Sequence, residues 1–304
     1  MEGAAMIEMR RVLCPVDFSE TSRHALDHAL AVARWYEARV TVLHVIHPLL
    51  VLDPPVLFVE ASHEPELTDA GSMRERLRTW LDTANAPGDI EMAVDEGNPV
   101  GRILSHAASL PADLIVMGTH GRSGFDRFAM GSVAEKVLRK AGCPVVTVPP
   151  PAIATSMVPF KRLLCPVDFS ESSLAALRFA FSLARESDAR LTMLHAVEWP
   201  SDEADVVEHV FNLPDLRRQL EKDSHERLAS LIPADVREWC RPVTKVVFGR
   251  PHVSILNVAT EEQADLIVMG VRGRSAMDLT LFGSTTNQVV RRASCPVLTL
   301  RPKT

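Results

Sequence analysis

Two glycine-rich stretches, one in each half of the chain, contain the residue types that bind phosphate groups. The first is GTHGRSGFDRFAMGS at residues 118–132, and the second is GVRGRSAMDLTLFGS at residues 270–284. Each follows an apolar run, and each has the spacing G-x2-G-x9-G followed by serine. Glycine lets the backbone turn tightly, so that its amide groups can approach phosphate oxygens closely. The spacing therefore predicts a phosphate-binding loop in each half.

The serine that ends each motif is expected to open a helix. Unpaired amides and the positive end of the helix dipole favour an anion there, and the serine hydroxyl can add a hydrogen bond. The candidate phosphate-binding residues are Gly118, Gly121, Gly131 and Ser132 in the first half and Gly270, Gly273, Gly283 and Ser284 in the second. Arg122 and Arg274 offer positive charge or point to solvent. The alternative is that the glycines only shape strand–helix turns, but two copies that keep the glycines while the residues between them differ favour phosphate binding.

An internal duplication sets the domain organisation. RRVLCPVDFSETS at residues 10–22 returns as KRLLCPVDFSESS at residues 161–173. A repeat of about 150 residues has the size of a whole domain rather than of a solenoid unit. We therefore predict one domain over residues 1–149 and a second over residues 161–304. The proline-rich stretch 150–160 is predicted to join them as a semi-rigid linker.

Each copy alternates short apolar runs with longer amphipathic ones, which predicts an α/β fold with five strands per domain. Near-continuous apolar strands separated by helices indicate a parallel sheet that is covered on both faces. Ser19 is positioned to cap the first helix, and a second helix is predicted over residues 73–85. Asn98 and Pro99 together predict the start of a third helix, a signal that Pro251 repeats in the second copy.

Composition excludes several classes of protein. The chain has 304 residues, a net charge of −6, 46% hydrophobic and 24% charged residues, which is typical of a globular protein. Its net negative charge argues against an electrostatically driven nucleic-acid binder. The sequence contains no run of 18 apolar residues, so no membrane span is predicted. Five cysteines and an N-terminus without an apolar stretch predict a cytoplasmic protein in a reducing compartment.

The glycine motifs, together with CPVDFSE at the start of each copy, resemble the universal stress protein family, and specifically its ATP-binding branch. The resemblance covers both halves of the chain. It implies two tandem Rossmann-like domains of the adenine nucleotide alpha hydrolase-like type, each with the strand order 3-2-1-4-5. The first and fourth strands would then meet at a topological switch point, where open α/β sheets bind ligands. The implied cofactor is ATP or another adenine nucleotide, with or without Mg²⁺.

The resemblance also assigns the nucleoside side of each pocket. The matching residues are Pro15, Val16, Asp17 and Val45 in the first half and Pro166, Val167, Asp168 and Ala196 in the second. Val133 and Thr285 would each add a backbone amide on the phosphate side. Met117 and Met269 adjoin the glycine loops and are interpreted as packing residues at the pocket. Asp17 and Asp168 either contact the nucleoside or serve only as helix-start residues.

No catalytic residue or metal ligand is assigned. The P-loop, the G-x-G-x-x-G fingerprint and the G-x-S-x-G elbow are all missing from the sequence. His44 and His195 have no second ligand at a metal-binding spacing, and the four cysteines that precede proline are interpreted as small buried hydrophobes. We therefore expect a nucleotide-dependent binding or regulatory module with little or no hydrolysis. A slow ATPase or phosphotransferase and a nucleotide-free, chaperone-like protein are the alternatives.

Two expectations concern assembly. The apolar fifth strands, 144–148 and 296–300, are predicted to lie side by side within one chain as a pseudo-dimer, because such edges are too apolar to be left exposed. The apolar segment 48–59 differs between the copies. It is either a loop packed on its own domain, or a subunit contact or a flap over the nucleotide. As a subunit contact it would pair two chains into a homodimer; a further protein partner is expected, but the sequence does not indicate which one.

Overall fold

A computed structural model describes residues 7–47, 70–83, 90–120, 130–150, 160–198, 213–271 and 283–302. Ten strands of this part of the chain form one sheet, in the order β3-β2-β1-β4-β5-β10-β9-β6-β7-β8. The strands of the first half are β1 (Arg11–Val16), β2 (Arg39–Ile46), β3 (Glu91–Glu96), β4 (Leu114–Gly118) and β5 (Val145–Val148). Those of the second half are β6 (Arg162–Pro166), β7 (Arg190–Val197), β8 (Val243–Phe248), β9 (Leu266–Gly270) and β10 (Val297–Leu300). Each half has the expected order 3-2-1-4-5.

Helices cover both faces of this sheet. In the first half they are α1 (Glu20–Tyr36), α2 (Ala70–Asp82), α3 (Pro99–Ser109) and α4 (Ser132–Lys140). In the second half they are α5 (Glu171–Ser187), α6 (Leu213–Ser230), α7 (Ala234–Trp239), α8 (Pro251–Glu261) and α9 (Ser284–Arg292). The α/β fold class is therefore confirmed. In the described part of the chain, no helix combines the length and the apolar character that crossing a membrane requires.

Side chains of the apolar strands form part of two hydrophobic cores, one on each face of the sheet. In β1, Val12 and Cys14 point into the core beneath α1 and α5, whereas Leu13 between them points into the core beneath α3 and α4. Because neighbouring side chains of a strand point to opposite faces, a strand that is buried on both faces must be apolar throughout. Both cores contain residues from both halves, so the apolar interior is continuous across the chain.

Predicted helix starts are confirmed where a capping residue marks them. The Ser22 amide donates to the Ser19 hydroxyl oxygen at 3.1 Å, and the Gly101 amide donates to Asn98 Oδ1 at 3.1 Å. Pro99 and Pro251 occupy the first position of α3 and α8. The second helix begins at Ala70 rather than at residue 73. It ends at Asp82, three residues before the predicted end at residue 85.

Antiparallel pairing of β5 with β10 joins the two halves into one sheet. Val297 lies opposite Thr147, and Thr299 lies opposite Val145. The buried Thr147 hydroxyl donates to the Val297 carbonyl at 3.2 Å, and the Thr299 hydroxyl donates to the Val145 carbonyl at 3.3 Å. The reciprocal bonds are those of a pseudo-two-fold interface. The predicted intramolecular pseudo-dimer is confirmed.

A second contact between the halves lies at the ends of α1 and α5. The Tyr36 hydroxyl donates to Glu186 Oε2 at 2.5 Å, and the backbone amide of Ile7 donates to Glu186 Oε1 at 2.5 Å. Glu186 therefore binds two donors that belong to the first half. This carboxylate at the end of α5 holds the N-terminal segment and α1 against the second half.

The phenol of Tyr36 should resist ionisation. Burial, and then the hydrogen bond and negative charge of Glu186, raise the pKa of Tyr36 above its ordinary value of 10.0. Because the folded state keeps the phenol proton to a higher pH than the unfolded state, the contribution of Tyr36 to stability is present below about pH 10 and is lost at higher pH.

Tyr36 is the chain's single tyrosine, so phenolate absorbance during an alkaline titration reports on it alone. Phenolate should form above pH 10 in the folded chain, but near pH 10 in denaturant. Glu186→Gln should shift the folded titration towards the denatured one, and a wild-type midpoint near 10 would contradict the contact.

The domain bounds and the 150–160 linker stay predictions. Residues 151–159 lie outside the described part of the chain, as does the apolar segment 48–59.

Candidate functional site

The carboxyl ends of the strands meet at two switch points. β1 lies between β2 and β4 in the first half, and β6 lies between β7 and β9 in the second. At each switch point the chain leaves the first strand towards one face of the sheet and the fourth strand towards the other. Such a switch point is where open α/β sheets form a ligand crevice, between the ends of the two strands.

In the second half this crevice is a cavity of about 450 Å³. The predicted site residues among its lining are Pro166, Val167, Asp168, Ala196, Met269, Gly270, Gly283, Ser284 and Thr285. The structure thus brings together every predicted residue of this half that it describes. Gly273 and Arg274 lie outside the described residues, as do Gly121 and Arg122 of the first half.

Further lining residues were not predicted as part of the site. They are Ser173, Leu194, His195, Val197, Glu198, Pro251, Ile255 and Thr286. Most belong to the ends of β7 and to the first turns of α5, α8 and α9, and no sequence motif links these elements. The repeated Pro251 signal identified the start of α8, but nothing in the pattern indicated that this start faces the crevice.

Both glycine motifs end at a helix whose N-cap residue is a glycine, which has no side chain to cap the first turn. Gly131 precedes α4 and Gly283 precedes α9, and among the described residues no side-chain cap bonds the first-turn amides of either helix. By contrast, α1 and α5 are capped by the hydroxyls of Ser19 and Ser170. Ser132 and Ser284 are exposed at these two helix starts. The first turns of α4 and α9 therefore present the amides and hydroxyls that a phosphate group can use.

Gly118 and Gly270 have a packing role of their own. A Cβ on Gly270 would lie 2.4 Å from Ser172 Oγ and 2.7 Å from the Ser172 carbonyl carbon. A Cβ on Gly118 would lie 2.8 Å from Thr21 Cγ2. Glycine is thus required here because the first turn of α1 or α5 crosses the strand end closely. Gly118 and Gly270 therefore have an architectural role, and their contact with a ligand stays a prediction.

Asp17 and Asp168 organise the helix starts next to the crevice. Asp17 Oδ1 accepts hydrogen bonds from the Ser19 amide at 3.1 Å and from its hydroxyl at 2.5 Å. Asp168 Oδ1 accepts the same two bonds from Ser170, at 3.0 and 2.6 Å. Each carboxylate therefore orients the serine that caps the next helix. The helix-start role is present in the structure, and nucleoside contact stays a prediction.

A strained turn lies between each aspartate and its serine. Phe18 and Phe169 adopt φ values of 64° and 63°, a region that is unfavourable for a bulky side chain. The centroids of the Phe18 and His44 rings are 4.4 Å apart, and those of the Phe169 and His195 rings are 4.7 Å apart. These contacts stabilise the turn that ends at the crevice. Neither phenylalanine was predicted as part of the site, although both belong to the identical CPVDFSE stretches of the two copies.

The two histidines have structural partners. His44 Nδ1 donates to the Val16 carbonyl at 2.8 Å, and His195 Nδ1 donates to the Val167 carbonyl at 2.7 Å. Each bond joins the end of the second strand to the end of the first. Within the described ranges, no group of three or more His, Cys, Asp or Glu residues could hold a metal ion.

The first half repeats the same framework. Val16 and His44 are paired at the ends of β1 and β2, next to Pro15 and Val45. The Gly131 amide donates to the Thr119 carbonyl at 2.8 Å, as the Gly283 amide does to Val271 at 3.0 Å. Asp17, Gly118, Ser132 and Val133 are at least partly accessible, whereas Met117 is buried in the core. The described site residues of the first half thus occupy the same strand and helix ends as those of the second.

Buried thiols are not activated. Burial raises the pKa of Cys143 to about 11 and that of Cys295 to about 12, and it raises those of Cys14 and Cys165 further. A thiol with a raised pKa is a poor nucleophile. Cys143 is only partly buried. Cys240, which had no predicted role, packs in the core beneath α5 and α6.

One ten-stranded sheet made of two parallel halves, each with a switch point and a glycine–serine helix start beside it, defines a duplicated α/β protein with a Rossmann-like fold. The sequence model of the universal stress protein family matches residues 8–149 and 159–301. The chain belongs to the universal stress protein family, with two tandem domains.

Relatives of similar length match most of this chain. A universal stress protein of Mycolicibacterium smegmatis is 26% identical over 302 residues, which cover 96% of this chain and 97% of the relative. One from Mycobacterium tuberculosis is 28% identical over 271 residues, covering 86% and 87%. The crystal structure of a universal stress protein from Archaeoglobus fulgidus is similar with a TM-score of 0.64 at 24% identity, covering 97% of each chain. The fold is thus that of a known universal stress protein of similar length.

Proposed function

We propose that each half of this stress-response protein binds one adenine nucleotide, namely ATP. Nucleotide binding would regulate the association of the whole chain with a protein partner. The observation that carries the proposal is the cavity of about 450 Å³ at the second switch point. That volume lies within the range of pockets for small molecules, roughly 300–1,000 Å³. The cavity has distinct ends: helix-start amides at one and apolar strand ends at the other.

Phosphates would bind at the first turns of α4 and α9. Gly283 has no side chain to cap the amides that follow it, and Ser284 and Thr285 line the cavity beside them. An anion at this position is stabilised by direct hydrogen bonds and by the helix dipole. Ser132 and Val133 would do the same in the first half.

The nucleoside would lie over the ends of the first and second strands. Val167, Leu194 and Ala196 offer an apolar wall for a base, and Asp168 is the carboxylate beside it. An aspartate at this place can accept hydrogen bonds from ribose hydroxyl groups. The same roles fall to Val16, Val45 and Asp17 in the first half.

Native mass spectrometry and titration calorimetry test the proposal directly. The purified chain should bind two ATP molecules, and AMP should bind more weakly because it lacks the β- and γ-phosphates. ATP should also raise the melting temperature, since a ligand that binds only the folded state stabilises it. A chain that shows neither bound nucleotide nor a thermal shift with excess ATP would refute the proposal.

The aspartate that lines the cavity can be tested separately from the cap that it orients. Asp168→Ala should weaken ATP binding and also cost roughly 0.5–2 kcal/mol of stability, because Ser170 loses the group that orients it. Ser170→Ala is the matched control, since it removes the cap but keeps the carboxylate. Calorimetry should show weaker ATP binding in Asp168→Ala than in Ser170→Ala. Equal affinities in the two variants would leave the aspartate with the helix-start role alone.

A further inference from the structure

An ion pair connects the two halves on the face that carries α4 and α9. Arg291 Nη2 lies 3.4 Å from Glu135 Oε2, with side chains that are 35% and 30% exposed. Arg291 belongs to the last turn of α9 and Glu135 to the first turn of α4. The Arg291 Nε is buried and lacks a hydrogen-bond partner in the described structure. The guanidinium is therefore not that of an ordinary solvated surface arginine.

Glu135 lies one turn from the proposed phosphate position of the first half. Its amide donates to the Gly131 carbonyl at 3.0 Å, which places it in the turn that begins at Ser132. A carboxylate in a first turn interacts favourably with the helix dipole. The same negative charge repels an anionic ligand at that helix start.

The second half has no such carboxylate. Asn287 occupies the equivalent position of α9, and its amide makes the same bond to the Gly283 carbonyl at 2.9 Å. Only the first-half site therefore has a negative charge in the helix turn that would face its nucleotide phosphates. That charge is the one that Arg291 neutralises from the other half of the chain.

We propose that Arg291 is a positioning residue for nucleotide binding in the first half. It holds the Glu135 carboxylate and offsets its charge, so that the start of α4 accepts a polyphosphate. The inference rests on the proposed nucleotide binding and adds a dependence: the first-half site requires a side chain of the second half, whereas the second-half site has no such requirement. The two sites are thus unequal, and the interface between the halves controls one of them.

The test measures ATP binding to the first-half site alone, in the full chain with Gly283→Val. This chain should bind one ATP by calorimetry. Adding Arg291→Gln should weaken that binding by roughly threefold to tenfold, and Arg291→Lys should retain most of the affinity. Glu135→Gln combined with Arg291→Gln should restore it, because the repelling charge is removed together with its partner. Raising the salt concentration should shrink the effect, which a purely structural role would not predict.

Arg292→Gln is the matched control, since it removes the same charge from the adjacent, exposed position of α9. It should leave first-half affinity unchanged. If wild type binds no ATP, the proposed function fails and this inference fails with it. If wild type binds but Arg291→Gln keeps its first-half affinity, or if Glu135→Gln gives no rescue, this inference alone is overturned.

Discussion

Replacing both Gly131 and Gly283 with valine should abolish ATP binding and leave the fold intact. The two glycines have φ and ψ values of −59° and 140°, and of −57° and 135°. Any residue adopts this extended region, and β-branched residues favour it. The backbone conformation therefore does not require glycine here, but close approach of a phosphate to the first-turn amides does.

The expected loss is large because several contacts fail together. Each hydrogen bond to a charged group contributes about 1.5–3 kcal/mol, so losing two of them weakens binding by roughly 100-fold or more. Calorimetry with ATP is the measurement, and circular dichroism and thermal melting check the fold. Gly142→Val is the control, because a Cβ there meets no atom within 4 Å. Unchanged ATP affinity in the double variant would show that the phosphate site lies elsewhere.

Gly270→Ala should be among the most destabilising single-methyl additions in this protein. The new Cβ would lie 2.4 Å from Ser172 Oγ and 2.7 and 2.8 Å from the Ser172 carbonyl carbon and oxygen. Backbone atoms at the start of a packed helix cannot move without shifting α5, so we expect a cost of about 3 kcal/mol or more. Denaturant unfolding of the full chain measures it.

Gly118→Ala is the matched comparison in the other half. Its Cβ would lie 2.8 Å from Thr21 Cγ2, a side-chain atom, and 3.2 Å from the Thr21 backbone. Thr21→Ser should therefore rescue much of the Gly118→Ala defect. Ser172→Gly should rescue little of the Gly270→Ala defect, because the backbone contacts remain. Gly142→Ala should be nearly neutral, and equal costs at all three glycines would contradict this packing.

Local sequence patterns predicted the helices and strands, whereas the make-up of the site depends on contacts between residues that are far apart in the sequence. Ser19, Asn98 and Pro99 marked helix starts because capping depends on neighbours a few residues away. The positive φ of Phe18 and Phe169 could not be predicted, since aromatic contacts with residues far along the chain support it. Arg291 and Glu135 are 156 residues apart, and neither has a motif that indicates the other. The strand order came from the family resemblance, because periodicity identifies strands but not their neighbours.

The β5–β10 pairing also changes how the assembly responds to dilution. Two separate single-domain chains paired through these edges would dissociate once their concentration fell below their dissociation constant. Within one chain, the predicted 150–160 linker would keep the partner edge at an effective concentration on the order of millimolar. The paired unit therefore persists however little protein is present. Each half can also accumulate substitutions that would be harmful in a symmetric pair, because a change in one copy is no longer imposed on the other.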